Sequence, residues 1–122
     1  MAMKWIEALT GSLEQKKQYR QDKARIDGLA EPYGSAAKAM HRYLLNTSGI
    51  VDGDVIIRML TDLADLWETA AVDGTPVHDI VGDDPADFAD TFAKAYAAKE
   101  WQDKERARFV KALEDAKKEE RS

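Results

Sequence analysis

Residues 85–122 read PADFADTFAKAYAAKEWQDKERARFVKALEDAKKEERS, and this stretch decides the fold. It contains no Gly, and its only Pro is the first residue. Asp at the cap and Pro in the first turn are helix-start signals, so Asp84 and Pro85 predict the beginning of one long helix. About 38 helical residues would span roughly 57 Å, whereas a domain of this size has a radius of gyration of about 14 Å. We therefore predict that about residues 99–122 project from the domain as a helical arm.

Apolar side chains on this helix form two groups. The first group recurs at spacings of three and four, which predicts a face that packs on the domain. Its members are Phe88, Phe92, Ala95 and Tyr96. The next turns on that side present charged residues, namely Lys99, Asp103 and Arg106. The apolar stripe therefore stops where the helix leaves the domain.

The second apolar group follows this charged gap. It consists of Phe109, Val110 and Leu113, again three and four residues apart, while Trp101 points to roughly the opposite side from Phe88. A stripe that stops, exposes a Trp and restarts is expected of an arm that contacts a second chain. The predicted interaction residues are therefore Trp101, Phe109, Val110 and Leu113. The alternative is that Phe109 and Leu113 fold back onto a short N-terminal helix.

The rest of the chain is also patterned as helices. Gly and Pro occur at intervals too wide for hairpins, and the segments between them lack the alternation of strands. We predict one all-α domain over residues 1–122, with about five to six helices including the long C-terminal one. The helices run from about Met3 to Thr10, from a capping box at Ser12 to about Gly28, from Glu31-Pro32 to Gly49, from Asp52 or Asp54 to Gly74, around Pro76 to Val81, and from Pro85 onward.

Two of these helices differ sharply in apolar content. The helix ending near Gly28 has few apolar positions among many charges, so we expect it to cover the core from outside. The helix ending at Gly74 has a stripe wide enough to be buried on more than one side, which predicts the central core helix. Its stripe consists of Val55, Ile56, Met59, Leu60, Leu63, Leu66, Trp67 and Ala70.

Composition narrows the class of protein. The chain has 122 residues, 18 basic and 23 acidic side chains, a net charge of −5 and no cysteine. This charge disfavours direct binding to nucleic acid, which depends on clustered Lys and Arg. The basic residues after Lys99 are interleaved with acids and predict a salt-bridged helix rather than a DNA-binding arm. No run approaches the roughly 18 apolar residues of a membrane span. The charged residue Glu7 also occurs before the apolar core of a signal peptide could form. We expect a cytoplasmic protein without a membrane partner.

Few residues suggest chemistry. Ser35 and Lys38 match the S-x-x-K pattern of serine acyl-transfer enzymes, but the companion motifs are absent, so we interpret the pair as helix surface. His41 lies at the edge of an apolar face and is interpreted as a partly buried structural residue. His78 and Asp79 precede further Asp residues and resemble a loose cation site.

The cation site has a simpler explanation. Acidic residues are favoured in the first turn of a helix, and Asp84 already acts as a cap, with Asp83 and Asp87 beside it. The loop also lacks the ligand spacing of a calcium loop. We therefore predict no catalytic residue, cofactor or metal.

Several stretches together are similar to one family over nearly the whole chain. They are Ile6-Glu7-Ala8-Leu9-Thr10-Gly11, Gln15-Lys16-Lys17, Ser48-Gly49-Ile50, Asp79-Ile80-Val81-Gly82-Asp83-Asp84, Phe88-Ala89-Asp90 and Trp101-Gln102-Asp103-Lys104. They resemble the small helical bacterial proteins called domain of unknown function 1048. The resemblance implies an all-helical fold without an established activity. It also implies a link to transcription, since some members are encoded beside PadR-type transcriptional regulators.

Members of that family have also been labelled DNA-binding and ferritin-like. A ferritin-like site needs two Glu-x-x-His motifs. Here Lys38 precedes His41 and Thr75 precedes His78, so the ferritin part does not apply. The DNA part finds no support in the net charge.

We interpret the chain as a non-enzymatic interaction or adaptor protein. Its partner is a second copy of itself or a transcriptional regulator, and the last helix makes the contact. A DNA-associated accessory protein is the first alternative and would need a basic face of one sign. An uncharacterised small enzyme is the second and would need convergent titratable groups in a cleft.

Overall fold

The computed structural model describes residues 13–121, which form five helices and no strand. They are α1 (Leu13–Asp27), α2 (Tyr33–Thr47), α3 (Gly53–Asp73), α4 (Val77–Val81) and α5 (Pro85–Arg121). The predicted all-α fold with a long C-terminal helix is confirmed. The predicted helix from Met3 to Thr10 and the capping residue Ser12 lie outside the described residues.

Local signals set the ends of α3. The Asp52 carboxylate accepts hydrogen bonds from the amides of Asp54 and Val55, so Asp52, and not Asp54, is the N-cap. Gly74 ends the helix with φ of 69°. This left-handed conformation strains residues that carry a Cβ atom, so Gly is suited to the position. Asp84 caps α5 by accepting from the amide of Asp87, as predicted.

The central helix α3 carries most of the core. Its buried side chains are Ile56, Met59, Leu60, Leu63, Ala64, Trp67 and Ala70. It packs against α1, α2 and α5, so three helices surround it. The prediction of a helix buried on more than one side is therefore confirmed. Fully burying a large apolar side chain contributes about 1.5–3 kcal/mol, so this stripe is the main source of stability.

Helix α1 covers the core through a polar contact that the sequence pattern did not reveal. Asp22 is completely buried. Its carboxylate accepts from the hydroxyl of Thr61 on α3, from Gln18 Nε2 at 3.2 Å and from Arg25 Nη1 at 3.1 Å. A buried carboxylate is tolerated only where hydrogen bonds replace water, and here three side chains supply them.

Arg25 extends this contact to the surface of α3. Its Nε and Nη2 atoms donate to the two carboxylate oxygens of Glu68 at 3.0 and 2.6 Å, and Nη2 also reaches Asp65. The planar guanidinium matches a carboxylate in this two-point geometry. The seam between α1 and α3 is thus apolar at Ile26 and ionic around Arg25.

The first half of α5 packs on α2 and α3. Ala89 and Ala93 are buried there, and Phe88, Phe92 and Tyr96 are half-buried around them. Ala95, predicted to face the domain, is exposed instead. It lies two residues beyond Ala93, which is nearly the opposite side of a helix with 3.6 residues per turn.

Candidate interaction surface

Glu100 is the last buried residue among positions 85–120 of α5. One carboxylate oxygen accepts from the amides of Val51 at 3.1 Å and Asp52 at 3.3 Å, and the other accepts from Lys104 Nζ at 3.0 Å. Burial raises the pKa of Glu100, but the hydrogen bonds from Lys104, Asp52 and Val51 lower it by more, so the net pKa is lowered. Glu100 therefore fastens α5 to the start of α3 as a carboxylate.

Two tyrosine hydroxyls fasten the same half of α5. Tyr43 on α2 donates to Asp90 at 2.8 Å, and Tyr96 donates to Asp62 on α3. Together with Glu100 they connect α5 to both neighbouring helices. We call residues 13–100 the body of the protein.

Residues 101–121 continue α5 beyond Glu100, and we call this segment the arm. Every side chain from 101 to 120 is exposed except that of Glu105, which is half-buried. Ion pairs along the arm join residues three or four apart, as in Glu105–Arg108, Glu114–Lys117 and Lys111–Asp115. Such pairs each stabilise a helix by only about 0.2–0.5 kcal/mol.

The four sequence-predicted interaction residues all lie on the arm. The exposed fractions are 65% for Trp101, 65% for Phe109, 49% for Val110 and 47% for Leu113. The fold-back alternative involves residues 3–10, which are outside the described part of the chain.

The structure brings three of the four together. Successive helical residues turn by about 100°, so Phe109, Val110 and Leu113 lie within about 100° of each other around the helix. We call these three residues the arm strip. Trp101 lies about two turns earlier, about 80° from Phe109 and about 180° from Val110. It therefore lies about 12 Å along the helix from Phe109 and on the opposite side of the arm from Val110.

A groove lies at the other end of α5 and was not predicted. It has a volume of about 400 Å³, which is within the range of about 300–1,000 Å³ for ligand pockets. Its lining is almost wholly apolar and comes from four helices, α2 to α5. The lining residues are Ala36, Ala39, Met40, Tyr43, Trp67, Val77, Val81, Pro85, Ala86, Phe88 and Ala89. No sequence signal indicates this groove, because residues 36 to 89 meet only after the helices pack.

The residues that suggested chemistry make structural contacts with neighbouring side chains. The Ser35 hydroxyl donates to Glu31 at 2.6 Å, which gives it a role at the start of α2. His78 Nε2 lies 2.7 Å from Asp83 Oδ1, and both side chains are exposed. Within residues 13–121, no three His, Asp or Glu side chains are arranged to hold a metal ion. His41 is partly buried against Tyr19, with ring centroids 6.1 Å apart.

This architecture defines an all-α, single-domain protein in which one helix extends past the core. The chain belongs to the family described as "Protein of unknown function (DUF1048)", whose model matches residues 10–114. The family that the resemblance indicated is thereby confirmed, and the match includes the arm strip. Neither a curated protein nor a solved structure matches the chain significantly. Among the helices of residues 13–121, none has the length and apolar content that a membrane span requires.

Proposed function

We propose that this protein acts by binding another protein through its arm, without chemistry of its own. The observation that carries the proposal is the arm strip. Phe109, Val110 and Leu113 remain about half or more exposed on a helix that residues 13–100 do not cover. Exposed apolar side chains that are grouped into one patch mark interaction sites more often than apolar side chains that are scattered singly over a surface.

The arm strip alone gives a modest binding energy. Full burial of such a side chain contributes about 1.5–3 kcal/mol, and about half of that remains to be gained at each of the three residues. The total of about 2–4.5 kcal/mol reaches at most the lower end of the cost of association, which is about 4–15 kcal/mol. A stable complex therefore requires that the partner also uses charges or a pocket.

The charges of the arm favour a protein partner over DNA. Residues 101–121 contain seven basic and six acidic side chains. Affinity for a phosphate backbone rises with the number of uncompensated Lys and Arg residues, and this arm offers few. A second copy of the chain and a transcriptional regulator are the two partners that we propose.

Paired variants of the arm test the proposal. In F109A/L113A the arm strip is shortened while the helix is preserved, because Ala favours helices. In K111A/D115A two exposed residues, which form an ion pair with each other, are changed at the same spacing on the opposite side of the arm. Each variant and the unmodified chain are tagged and purified from the source cell, and bound proteins are identified and re-tested as pure proteins.

We expect F109A/L113A to lose its partner while K111A/D115A retains it. At a protein concentration low enough for all three proteins to be monomeric, the urea midpoints of both variants should match that of the unmodified chain, which shows that the body is intact. Equal binding by all three proteins would contradict a role for the arm strip. Fluorescence anisotropy on random duplex DNA tests the alternative, and submicromolar affinity at physiological salt would favour the DNA-associated function.

A further inference from the structure

The arm strip and the groove are complementary features at opposite ends of α5. We propose that the partner is a second copy of this chain. The arm strip of one protomer packs into the groove of the other, and the arm strip of the second protomer packs into the groove of the first. This inference rests on the proposed function and adds to it the identity of the partner and the place where the arm binds.

Distance prevents one chain from joining its own two surfaces. Ala89 lines the groove and Phe109 begins the arm strip. Both lie on one uninterrupted helix, about 20 residues or roughly 30 Å apart. A continuous helix cannot bring these residues together, so the strip of a second molecule is required.

The edge of the groove and the surroundings of the arm strip carry opposite charges. Residues 79–90, at the edge of the groove, contain five Asp and neither Lys nor Arg. All five Asp side chains are exposed. Residues 104–111 surround the start of the arm strip and contain four basic residues and one acidic residue. Complementary charge between the acidic edge of the groove and the basic start of the arm favours packing of the arm against the groove.

The groove also suits the arm strip in shape and polarity. Phe109 and Leu113 are one helical turn apart and project from the same side of the arm. The groove has room for more than one large side chain, and Trp67, Met40 and Phe88 provide its apolar surface. Because both surfaces are apolar, binding removes both from water, which supplies the burial that the arm strip alone cannot.

Reciprocal contacts give a closed pair. Each protomer supplies one arm strip and one groove, so a two-fold axis satisfies both joints and leaves neither surface open. In such a pair, the two copies of a residue near either end of α5 lie far from each other. Ala86 of one protomer lies near Leu113 of the other, and the two Ala86 residues are separated by about 40 Å along the helix.

Engineered cysteines test this arrangement directly, because the chain has no cysteine. The full-length A86C/L113C variant is oxidised at tens of micromolar protein. We expect a covalent dimer of twice 13.7 kDa on a non-reducing gel. The single variants A86C and L113C should remain monomeric on that gel. A disulfide within one chain is impossible, since the two positions are about 40 Å apart in one helix.

Groove-filling variants provide a second measurement by light scattering. Ala39 lines the groove and is exposed, so A39W should fill it without disturbing the core. We expect A39W and F109A/L113A each to be monomeric, and A24W, at an exposed site on α1 that does not line the groove, to dimerise normally. Mixing A39W with F109A/L113A should restore association, because one intact strip then meets one intact groove.

Three results would overturn the inference. A monomeric full chain without cross-linking excludes the second copy, and cross-linking of L113C alone shows that arms pair with arms. A ladder of higher oligomers from A86C/L113C excludes the closed pair. The proposed function is judged separately: it survives a monomeric chain if F109A/L113A still loses a different protein, and it fails if that variant retains every partner.

Discussion

Residues 85–100 and residues 101–121 belong to one continuous helix, yet they have opposite relations to the rest of the protein. The first half buries Ala89 and Ala93 and is fastened by Tyr43, Tyr96 and Glu100. The second half has no buried side chain through residue 120. Its apolar residues are as large as those of the first half, so size and hydrophobicity alone do not decide which are buried.

The difference shows that helix formation and burial have separate causes. Starting a helix is the costly step, and adding a residue to an existing one costs little. The body therefore provides the nucleus from which the arm continues with the help of local ion pairs. Residues 13–100 do not cover the arm, so the arm strip stays about half or more exposed.

The largest expected effect comes from a charge placed in the first half of α5, and the same change in the second half is its control. Ala93 is buried, so A93D leaves a carboxylate in the core without designed partners, and we expect a loss of about 3–5 kcal/mol. Ala112 is exposed, and A112D should change the free energy of unfolding by less than about 0.5 kcal/mol. Urea unfolding measures both. Similar losses for the two variants would show that the arm is packed in solution.

Removing Glu100 should produce the next largest effect. The E100A substitution leaves the amides of Val51 and Asp52 without their acceptor, which should cost about 2 kcal/mol. The control E114A removes only an ion pair between exposed side chains on the arm, worth about 0.3 kcal/mol. An equal cost for the two substitutions would move the boundary of the body away from Glu100.

The contribution of Glu100 should also depend on pH. Its pKa is lowered in the folded protein, so the stabilisation is fully present above the ordinary value of 4.5 and is lost as the pH falls through the folded pKa. The difference in unfolding free energy between the unmodified chain and E100A should therefore shrink between about pH 7 and about pH 3. A constant difference would show that the carboxylate charge is not involved.

Mild acid should weaken the body through His41. Burial and the nearby Lys23 lower the pKa of His41 to about 4, from an ordinary value of 6.5. The unfolded chain takes up a proton first, so stability should fall as the pH drops from 6.5 towards 4, by an amount on the order of 1 kcal/mol. The H41Q variant should lose this part of the pH dependence, and H78Q, at an exposed site, should keep it. Identical profiles for the two variants would contradict the assignment.

The smallest expected effect on the monomer is that of W101A. Trp101 is 65% exposed and lies on a different side of the arm from Val110, so its removal should change the melting temperature little. If Trp101 contacts a partner, association should fall markedly, because buried Trp residues contribute much of the energy of interfaces. A large loss of monomer stability with association intact would instead assign Trp101 to the core.

The features that were predictable from the sequence are those that depend on neighbours along the chain. Asp84 and Pro85 start α5, Gly49 and Gly74 take left-handed conformations, and the apolar spacing of α3 identifies the core helix. Ala95 was misplaced because a stripe read at spacings of three and four does not fix the exact direction of the core. The structure shows that the inner face is centred on Ala89 and Ala93 instead.

By itself, the sequence determined an all-α chain with a long C-terminal helix and an apolar strip near its end, because capping and helical periodicity are local properties. Only the tertiary structure decided that Asp22 is buried against Thr61, that Glu100 binds the amides before α3, and that an apolar groove forms beside Trp67. These features join residues about 40 or more positions apart. A pattern along one helix carries no information about which residue of another helix will face it, so they appear only when the helices pack.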